Sequence, residues 1–265
     1  MHPAARLDDR AVIALFGPDA RSLLQGLITN DVDTIAPGMG LYAALLTPQG
    51  KILYDFLLTE GDGAILIDCL ATARDVLLKR LRMYRLRAKV EIEARDQLAV
   101  FVGLDAGNSF ADPRHPGLGR RSISARQEMP QDVSPASAYH AHRLDLGIPE
   151  GDDFGQDKIF ALDGGLDELH AVSFTKGCYV GQELTARMKH RGTARKRLLP
   201  IEGDGLQPGA ALKARLEIGS ITTVYGHRGF ALVRLDRLAE AGDAAIESGG
   251  ATVRVIKPSW ISLDV

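Results

Sequence analysis

The 265-residue sequence predicts an α+β protein in which two ferredoxin-like α/β subdomains and a small C-terminal β-barrel domain surround a central opening. Two observations support this prediction. Up to about residue 197, apolar runs typical of strands alternate with stretches that have helical spacing, which is the order found in ferredoxin-like units. After residue 198, short apolar runs alternate with glycine, proline and aspartate turns, which is typical of a small barrel.

The order of the elements defines the predicted domains. Helices are predicted at 20–27, 72–84, 137–146 and 184–188, and strands at 11–16, 42–47, 52–59, 64–69, 90–94 and 98–103. Glycine, proline and polar residues dominate 106–135, so we predict loops there. We assign residues 1–197 to one domain of two subdomains, about 1–47 with 135–197 and 48–134, and residues 198–265 to the barrel domain.

The composition is that of an ordinary globular protein. The formal net charge of −2 excludes a globally basic nucleic-acid binder but allows a local basic face. Two cysteines, Cys69 and Cys178, form neither a disulfide framework nor a zinc-ligand cluster. We find no apolar run typical of a signal peptide or a membrane span, and therefore expect a cytoplasmic protein without a membrane partner.

Asp55 interrupts the apolar strand predicted at 52–59. A carboxylate within a buried strand costs several kcal/mol unless it is paired, hydrogen-bonded or facing a cavity. We therefore predict that Asp55 lines a pocket and that burial raises its pKa. The alternative is an edge strand on which Asp55 faces solvent.

The helix predicted at 72–84 and its exit carry many basic residues. They are Lys79, Arg80, Arg82, Arg85, Arg87 and Lys89. Leucines at helical spacing on the same segment would face the core, so we interpret the basic residues as a solvated helix face.

A second basic run follows Glu183 and contains no acidic residue. It consists of Arg187, Lys189, His190, Arg191, Arg195, Lys196 and Arg197. Such a run predicts an anion site, for a polycarboxylate or a nucleic-acid phosphate, and the alternative is a basic linker.

The segment 176–183 concentrates the most reactive chemistry in the chain. Gly177 precedes Cys178 and Gly181 follows it, which indicates a tight turn. Lys176 and the later arginines create a positive field that favours a thiolate. We predict an exposed, reactive Cys178, and the alternative is a small buried residue at a turn.

This segment, Lys-Gly-Cys-Tyr-Val-Gly-Gln-Glu, resembles the signature of the YgfZ-type folate-binding proteins, which are iron–sulfur cluster assembly and repair factors. The opening Gly-Pro-Asp-Ala-Arg-Ser-Leu-Leu-Gln-Gly-Leu-Ile-Thr-Asn-Asp-Val at 17–32 is also similar to theirs. That family shares its fold with the T-protein of the glycine cleavage system, an aminomethyltransferase. The resemblance implies a T-protein-like fold with a central folate pocket, and a tetrahydrofolate-binding accessory protein for iron–sulfur cluster assembly or repair.

The resemblance also implies the site residues. Asp55 matches the catalytic aspartate of the T-protein, although Lys51 and Tyr54 depart from its pattern. Asp145 matches a glutamate that binds the pterin ring, and the alternative is a helix-face carboxylate paired with an arginine. The implied catalytic residues are Asp55 and Cys178. The implied folate-binding residues are Asp55, Asp145, Lys176, Gly177, Tyr179, Gln182, Glu183 and Arg187. We expect Asp55 and Asp145 at the floor of the folate pocket and the Cys178 loop at its rim.

One exposed cysteine cannot hold an iron–sulfur cluster alone, because clusters usually require about four cysteine ligands. Cys178 is therefore expected to share a cluster with the thiols of an A-type carrier protein, and the chain itself is expected to be a monomer. Two other functions remain open at this stage: a folate-dependent aminomethyl or one-carbon transferase, and an RNA-interacting protein linked to tRNA modification. The resemblance favours the accessory factor over a turnover enzyme, and the acidic balance makes nucleic acid an unlikely main ligand.

Overall fold

The computed structural model describes residues 4–105, 107–127, 134–192 and 195–262. Its first sheet is antiparallel and has the strand order β3-β4-β5-β2-β6. These strands are β2 (Arg10–Phe16), β3 (Gly40–Leu46), β4 (Ile52–Gly61), β5 (Ala64–Leu70) and β6 (Glu91–Ala94). Asp55 lies in β4 opposite Ala44 of β3, so it belongs to an interior strand.

The second sheet has the strand order β1-β7-β9-β8. It consists of β1 (Ala5–Leu7), β7 (Leu98–Val102), β8 (Asn108–Ala111) and β9 (Arg120–Ala125). The loops predicted at 106–135 are therefore wrong in part, because β8 and β9 pair within this range. Their residues are mostly polar and give no apolar run, so the strands were missed. Residues 106 and 128–133 of that range lie outside the described residues.

Helices α1 (Ala20–Gln25) and α2 (Arg74–Arg85) cover one face of the first sheet. Alternation along β2 produces the two faces: Ile13 packs with the helices, whereas Val12 packs into the core shared with the second sheet. Helix α3 (Ala136–Asp145) packs near β1, and α4 (Gln182–Arg191) follows the cysteine motif. No helix among the described residues is both long and apolar enough to cross a membrane.

The C-terminal part is a closed six-stranded barrel of order β10-β13-β12-β11-β14-β15. Its strands are β10 (Lys196–Gly203), β11 (Ala211–Lys213), β12 (Glu217–Tyr225), β13 (Arg228–Arg234), β14 (Glu247–Ser248) and β15 (Ala251–Val255), and α5 (Leu235–Ala241) follows β13. Its interior is a separate apolar core that includes Leu199, Ile221 and Val233.

The predicted fold class, α+β with a closed C-terminal barrel, is confirmed. The predicted start of the barrel at 198 lies two residues inside β10. The predicted subdomain boundary at 47/48 lies between β3 and β4, which pair with each other in the first sheet. Strands therefore group by sheet: the first sheet uses strands between 10 and 94, and the second adds β1 to strands between 98 and 125.

Candidate functional site

Asp55 is a buried carboxylate with two direct partners. Its Oδ2 accepts a hydrogen bond from the Tyr42 hydroxyl at 3.0 Å, and its Oδ1 accepts one from the Gly151 backbone N–H at 2.9 Å. Burial raises the pKa of Asp55, Arg10 opposes that rise, and the negative charge of Glu150 adds to it. Asp55 is thus fixed in position and binds a proton more readily than a free aspartate.

Behind Asp55 lies a buried charge network that joins both sheets. Arg10 Nε donates to Asp68 at 2.7 Å, and Arg121 donates to the other oxygen of the same carboxylate. Arg114 holds Asp112 in a bidentate pair at 2.9 and 2.7 Å. Because all of these side chains are buried, each charge requires its partner.

Glu150 is the centre of this network. Arg114 Nη1 donates to it at 2.6 Å, Arg143 lies 3.4 Å away, and the Tyr139 hydroxyl lies at 3.2 Å. Burial alone would raise the pKa of Glu150, but Arg114, Arg143 and other arginines outweigh burial and hold that pKa well below its usual range. Glu150 therefore stays ionised and anchors the guanidinium groups around it.

The network also fastens the barrel to the rest of the chain. Asp153 accepts hydrogen bonds from Arg143 at 2.7 Å, from the Thr223 hydroxyl at 2.5 Å and from the Tyr225 hydroxyl at 2.9 Å. Thr223 and Tyr225 belong to β12, so one carboxylate ties α3 to the barrel.

Buried carboxyl groups outnumber buried guanidinium groups in this region. Four guanidinium groups, of Arg10, Arg114, Arg121 and Arg143, face five carboxyl groups, of Asp55, Asp68, Asp112, Glu150 and Asp153. Asp55 has a raised pKa, whereas Glu150 and Asp112 have lowered ones, since in both the nearby arginines outweigh burial. Asp55 is therefore the carboxyl group best suited to carry or exchange a proton.

Asp55 lines a small cavity of about 180 Å³, the Asp55 cavity, together with Cys69, Gly151 and residues at the start of α2. A larger cavity of about 730 Å³, the central cavity, lies where α3 meets the barrel. Its polar wall is formed by Asp8, Asp9, Thr72, Ser137, His140, Arg143, Glu150, Asp152, Tyr225, His227 and Arg228. Leu70, Thr72 and Asp152 line both cavities, so the two share a wall.

Asp9, His140 and Glu150 lie close together in the central cavity. One ligand atom from each can be chosen within 4.8 Å of the others, and His140 Nε2 lies 3.3 Å from Asp9 Oδ2. Burial raises the pKa of Asp9, but the hydrogen bond from His140, the charge of His140 and that of Arg10 together outweigh burial and leave this pKa lowered. Arg114 and Arg143 already neutralise Glu150, so this group is better suited to hydrogen bonding than to holding a cation.

Asp145 is placed differently from Asp55. It forms an ion pair with Arg228 and is more than half exposed, which is the alternative that the sequence left open. It lines two other cavities, of about 840 and 210 Å³. Asp55 and Asp145 therefore line different cavities, and the prediction of one pocket floored by both is wrong.

The cysteine motif forms an exposed, well-anchored loop before α4. Cys178 is exposed and Cys69 is buried. Lys176 Nζ donates to the carbonyls of Ile28 at 2.6 Å and Asn30 at 2.7 Å, and burial lowers its pKa to about 8. These bonds fix the loop while the thiol stays accessible.

The other motif residues explain the shape of the loop. Tyr179 is buried, and Gln182 contacts it through its backbone N–H at 3.2 Å and its side-chain oxygen at 3.3 Å. Gly181 has a φ of +83°, and a Cβ there would lie 2.5 Å from the Thr47 carbonyl oxygen. Gly177, with a φ of +101°, requires glycine for its backbone conformation. Lys176, Gly177, Tyr179 and Gln182 therefore build the loop.

The motif stands apart from both cavities. Within the described ranges, the walls of the Asp55 cavity and the central cavity contain no residue of 176–187. The predicted position of the Cys178 loop at the rim of the folate pocket is thus not supported by the cavity walls. Glu183 and Arg187 are exposed and form an ion pair with each other at 3.1 Å. Their roles in folate binding stay predictions.

The basic run after Glu183 is less open than its sequence suggests. Lys189 pairs with Asp167 at 2.9 Å, and the buried Arg197 pairs with Glu168 at 3.3 Å. These acids precede the run by about 20–30 residues, so local sequence could not reveal them. Sequence reasoning also missed Arg10, Arg114, Arg121 and Glu150. The signal that identified Asp55, a charged residue inside a predicted strand, was not available for Arg121, because its strand β9 was predicted as a loop.

Comparison with known proteins gives one matching family model and several related sequences. Residues 195–263 match the family model of the CAF17 C-terminal beta-barrel domain. The mitochondrial iron-sulfur cluster assembly factor IBA57 of Mus musculus is 33% identical, covering 96% of this chain and 84% of the relative. The human protein of that name is 32% identical, over 88% of this chain and 78% of its own length. A Neurospora crassa homologue is 35% identical, over 74% of this chain and 52% of its own length.

Among solved structures, the glycine cleavage system aminomethyltransferase T from Bartonella henselae superimposes with a TM-score of 0.77. The match covers 97% of this chain and 86% of the other at 16% sequence identity, so it shows a shared fold.

These findings correct two expectations. The relatives reported above carry the IBA57 name, so the YgfZ-type resemblance holds only at the level of the wider family. The expected cytoplasmic location is contradicted, because the names of these relatives place them in mitochondria. On the strength of a relative one-third identical along nearly the whole chain, this protein belongs to the IBA57 family of iron–sulfur cluster assembly factors.

Proposed function

We propose that this protein is an accessory factor for iron–sulfur cluster assembly or repair that binds tetrahydrofolate. The exposed thiol of Cys178, on a loop fixed by Lys176, carries the proposal. The names of the relatives supply the process. Because one thiol cannot complete a cluster, the partner is a carrier protein of the A type that contributes the remaining ligands.

The cluster role is tested by mixing the protein with an A-type carrier loaded with a [2Fe–2S] cluster and recording visible circular dichroism. We expect a spectrum that differs from the sum of the two proteins and is lost in Cys178→Ser. Cys69→Ser is the matched control, because Cys69 is buried and burial raises its pKa to about 12. Identical spectra for wild type and Cys178→Ser would refute a ligand role for this thiol.

The central cavity supports the folate part of the proposal. Its volume of about 730 Å³ falls within the usual range for small-molecule sites, about 300–1,000 Å³. Arg228, partly exposed and paired with the exposed Asp145, is placed to donate to a glutamate carboxylate of folate, whereas Arg143 is held in the wall by Glu150 and Asp153. Glu150 is a fixed acceptor. Because Leu70, Thr72 and Asp152 line both cavities, a ring system bound in the central cavity would lie next to the Asp55 cavity.

Calorimetric titration with tetrahydrofolate tests this site. Asp55→Asn should weaken binding by about 1.5–3 kcal/mol, as expected for one charge-assisted hydrogen bond. Asp145→Ala tests the pterin role that the resemblance implied, and should also weaken binding if that role is correct. Asp167→Asn is a control carboxylate that lines neither cavity. Wild-type affinity in Asp55→Asn would place the folate site elsewhere.

A further inference from the structure

Helix α2 presents apolar side chains to solvent on the side away from the core. Leu77 and Leu81 are buried against the first sheet, whereas Val76 is 54%, Met83 68% and Leu86 86% exposed. Leu86 and Met83 are the most exposed large apolar residues in the part of the chain that the structure describes. Leu86 ends the helix with a φ of +45°, a conformation that a leucine rarely adopts.

The same surface is strongly positive. Between residues 74 and 89 the chain has seven basic residues and one acid, Asp75, which pairs with Arg74, although the whole chain has a net charge of −2. The remaining basic residues are Lys79, Arg80, Arg82, Arg85, Arg87 and Lys89. Positive charge is thus concentrated around the exposed apolar side chains.

Two of these arginines shape the surface and the others are open to a ligand. Arg82 donates to the Ile92 carbonyl at 2.7 Å, and Arg85 donates to the Val90 carbonyl at 3.4 Å. Among the described residues, Lys79, Arg80 and Arg87 have no acidic partner within ion-pair distance. Lys79 and Arg80 border a shallow depression of about 360 Å³ with Val76, Met83 and Tyr84.

We infer that this face of α2 and its exit turn dock on an anionic lipid surface, with Met83 and Leu86 entering the headgroup region and the surrounding cations contacting lipid phosphates. Apolar side chains inside a cationic ring are the elements of interfacial membrane binding. Since no described helix is suited to cross a membrane, the contact is peripheral.

The chemistry of this face favours lipid over other polyanions. Binding of single-stranded nucleic acid relies on exposed aromatic rings for stacking, and the ring present here, Tyr84, is partly buried against the core. A folded acidic protein would need roughly 800 Å² of continuous complementary surface. A lipid surface accepts individual side chains that protrude, as Met83 and Leu86 do.

The test is flotation of the full chain with vesicles of phosphatidylcholine alone and of phosphatidylcholine with phosphatidylglycerol in equal parts. We expect flotation with the anionic vesicles, weakened by added salt, and little with the neutral ones. Met83→Ser/Leu86→Ser and Lys79→Gln/Arg80→Gln/Arg87→Gln should each reduce the partition coefficient by about tenfold or more.

Matched controls distinguish vesicle binding through this face of α2 from nonspecific binding by other exposed residues. Leu216→Ser removes a leucine that is 63% exposed on the barrel side, and Lys213→Gln/Arg215→Gln/Arg191→Gln removes the same charge from other exposed positions. Both controls should bind as wild type does. Equal loss in controls and test variants, equal binding to neutral vesicles, or binding to an RNA homopolymer or polyglutamate in place of vesicles would overturn the inference. Thermal unfolding of every variant excludes misfolding as the cause.

Discussion

The buried charge network around Glu150 and the exposed helix α4 after Cys178 both use arginine, but their partners come from different distances along the chain. Arg10 reaches Asp68 across 58 positions, and Arg114 reaches Glu150 across 36. Arg187 on α4 pairs with Glu183, four positions away. The first region holds the sheets and the barrel together, and the second leaves its charges in water beside an accessible thiol.

The difference shows what burial does to a charged side chain. A buried guanidinium group that lacks its carboxylate partner still carries the full free-energy cost of desolvation. Removing any one partner from the network is therefore strongly destabilising. An exposed ion pair adds little to the free energy of unfolding, because each charged group loses hydration when it gains its partner. Similar residue types are therefore expected to give very different responses to mutation, and the following predictions test that contrast.

Arg114→Met should give the largest effect. The change leaves Asp112 and Glu150 buried without their main counter-charge, and should lower the free energy of unfolding by about 3–5 kcal/mol. Arg187→Met is the matched control and should cost at most about 1 kcal/mol, because its ion pair is exposed. Urea unfolding followed by circular dichroism measures both values. Similar losses in the two variants would contradict the contrast.

Lys176→Met should have an intermediate effect, about 1–2 kcal/mol, because it removes two hydrogen bonds to carbonyls at a partly buried site. The pKa of Lys176 is about 8, below its usual value of 10.5, because of burial. Folding therefore releases a proton between these two pH values, and the unfolded state binds more protons there. The stability of wild type relative to Lys176→Met should rise as pH increases from about 8 to 10.5. A flat difference across this range, in urea titrations at several pH values, would contradict the lowered pKa.

The sequence could predict the α+β class, the barrel, α2 and α3 to within about two residues, and a buried Asp55, because periodicity and one misplaced carboxylate are local signals. It could not predict the network, because Arg121 and Asp68 are distant in sequence and meet only when the two sheets pack. Strands β8 and β9 were missed because their pairing, and not an apolar pattern, defines them. The motif was identified correctly as a tight turn, but the anchoring of Lys176 on Ile28 and Asn30 depends on tertiary structure.

Asp55→Asn should have a smaller effect on stability, of the opposite sign. The pKa of Asp55 is raised above its ordinary 3.8 by burial, so the native state binds a proton more tightly than the unfolded state does. This residue's contribution to stability is complete below pH 3.8 and is lost as pH rises through the native pKa. Asparagine does not titrate, so the free energy of unfolding of the variant should not fall as pH rises from 3.8 through the native pKa of Asp55, whereas that of wild type should. At neutral pH the variant should be more stable than wild type by about 1 kcal/mol. Urea titrations at pH 4 and pH 7 test this, and a variant that is less stable at pH 7 would show that the Asp55 charge is part of the balance with Arg10.

Glu183→Gln should have the smallest effect. Glu183 lies in the first turn of α4, where a negative charge interacts favourably with the helix dipole, and it pairs with Arg187 one turn later. Both side chains are more than half exposed, so water and salt screen these interactions. The expected loss is about 0.3–0.5 kcal/mol at low salt, and it should shrink further in about 0.5 M salt. Glu183→Asp is the matched control, since it keeps the charge at the helix start but shortens the reach to Arg187. A loss above about 2 kcal/mol in Glu183→Gln, beyond what an exposed pair can supply, would mean that the motif glutamate has a buried partner and that α4 belongs with the network.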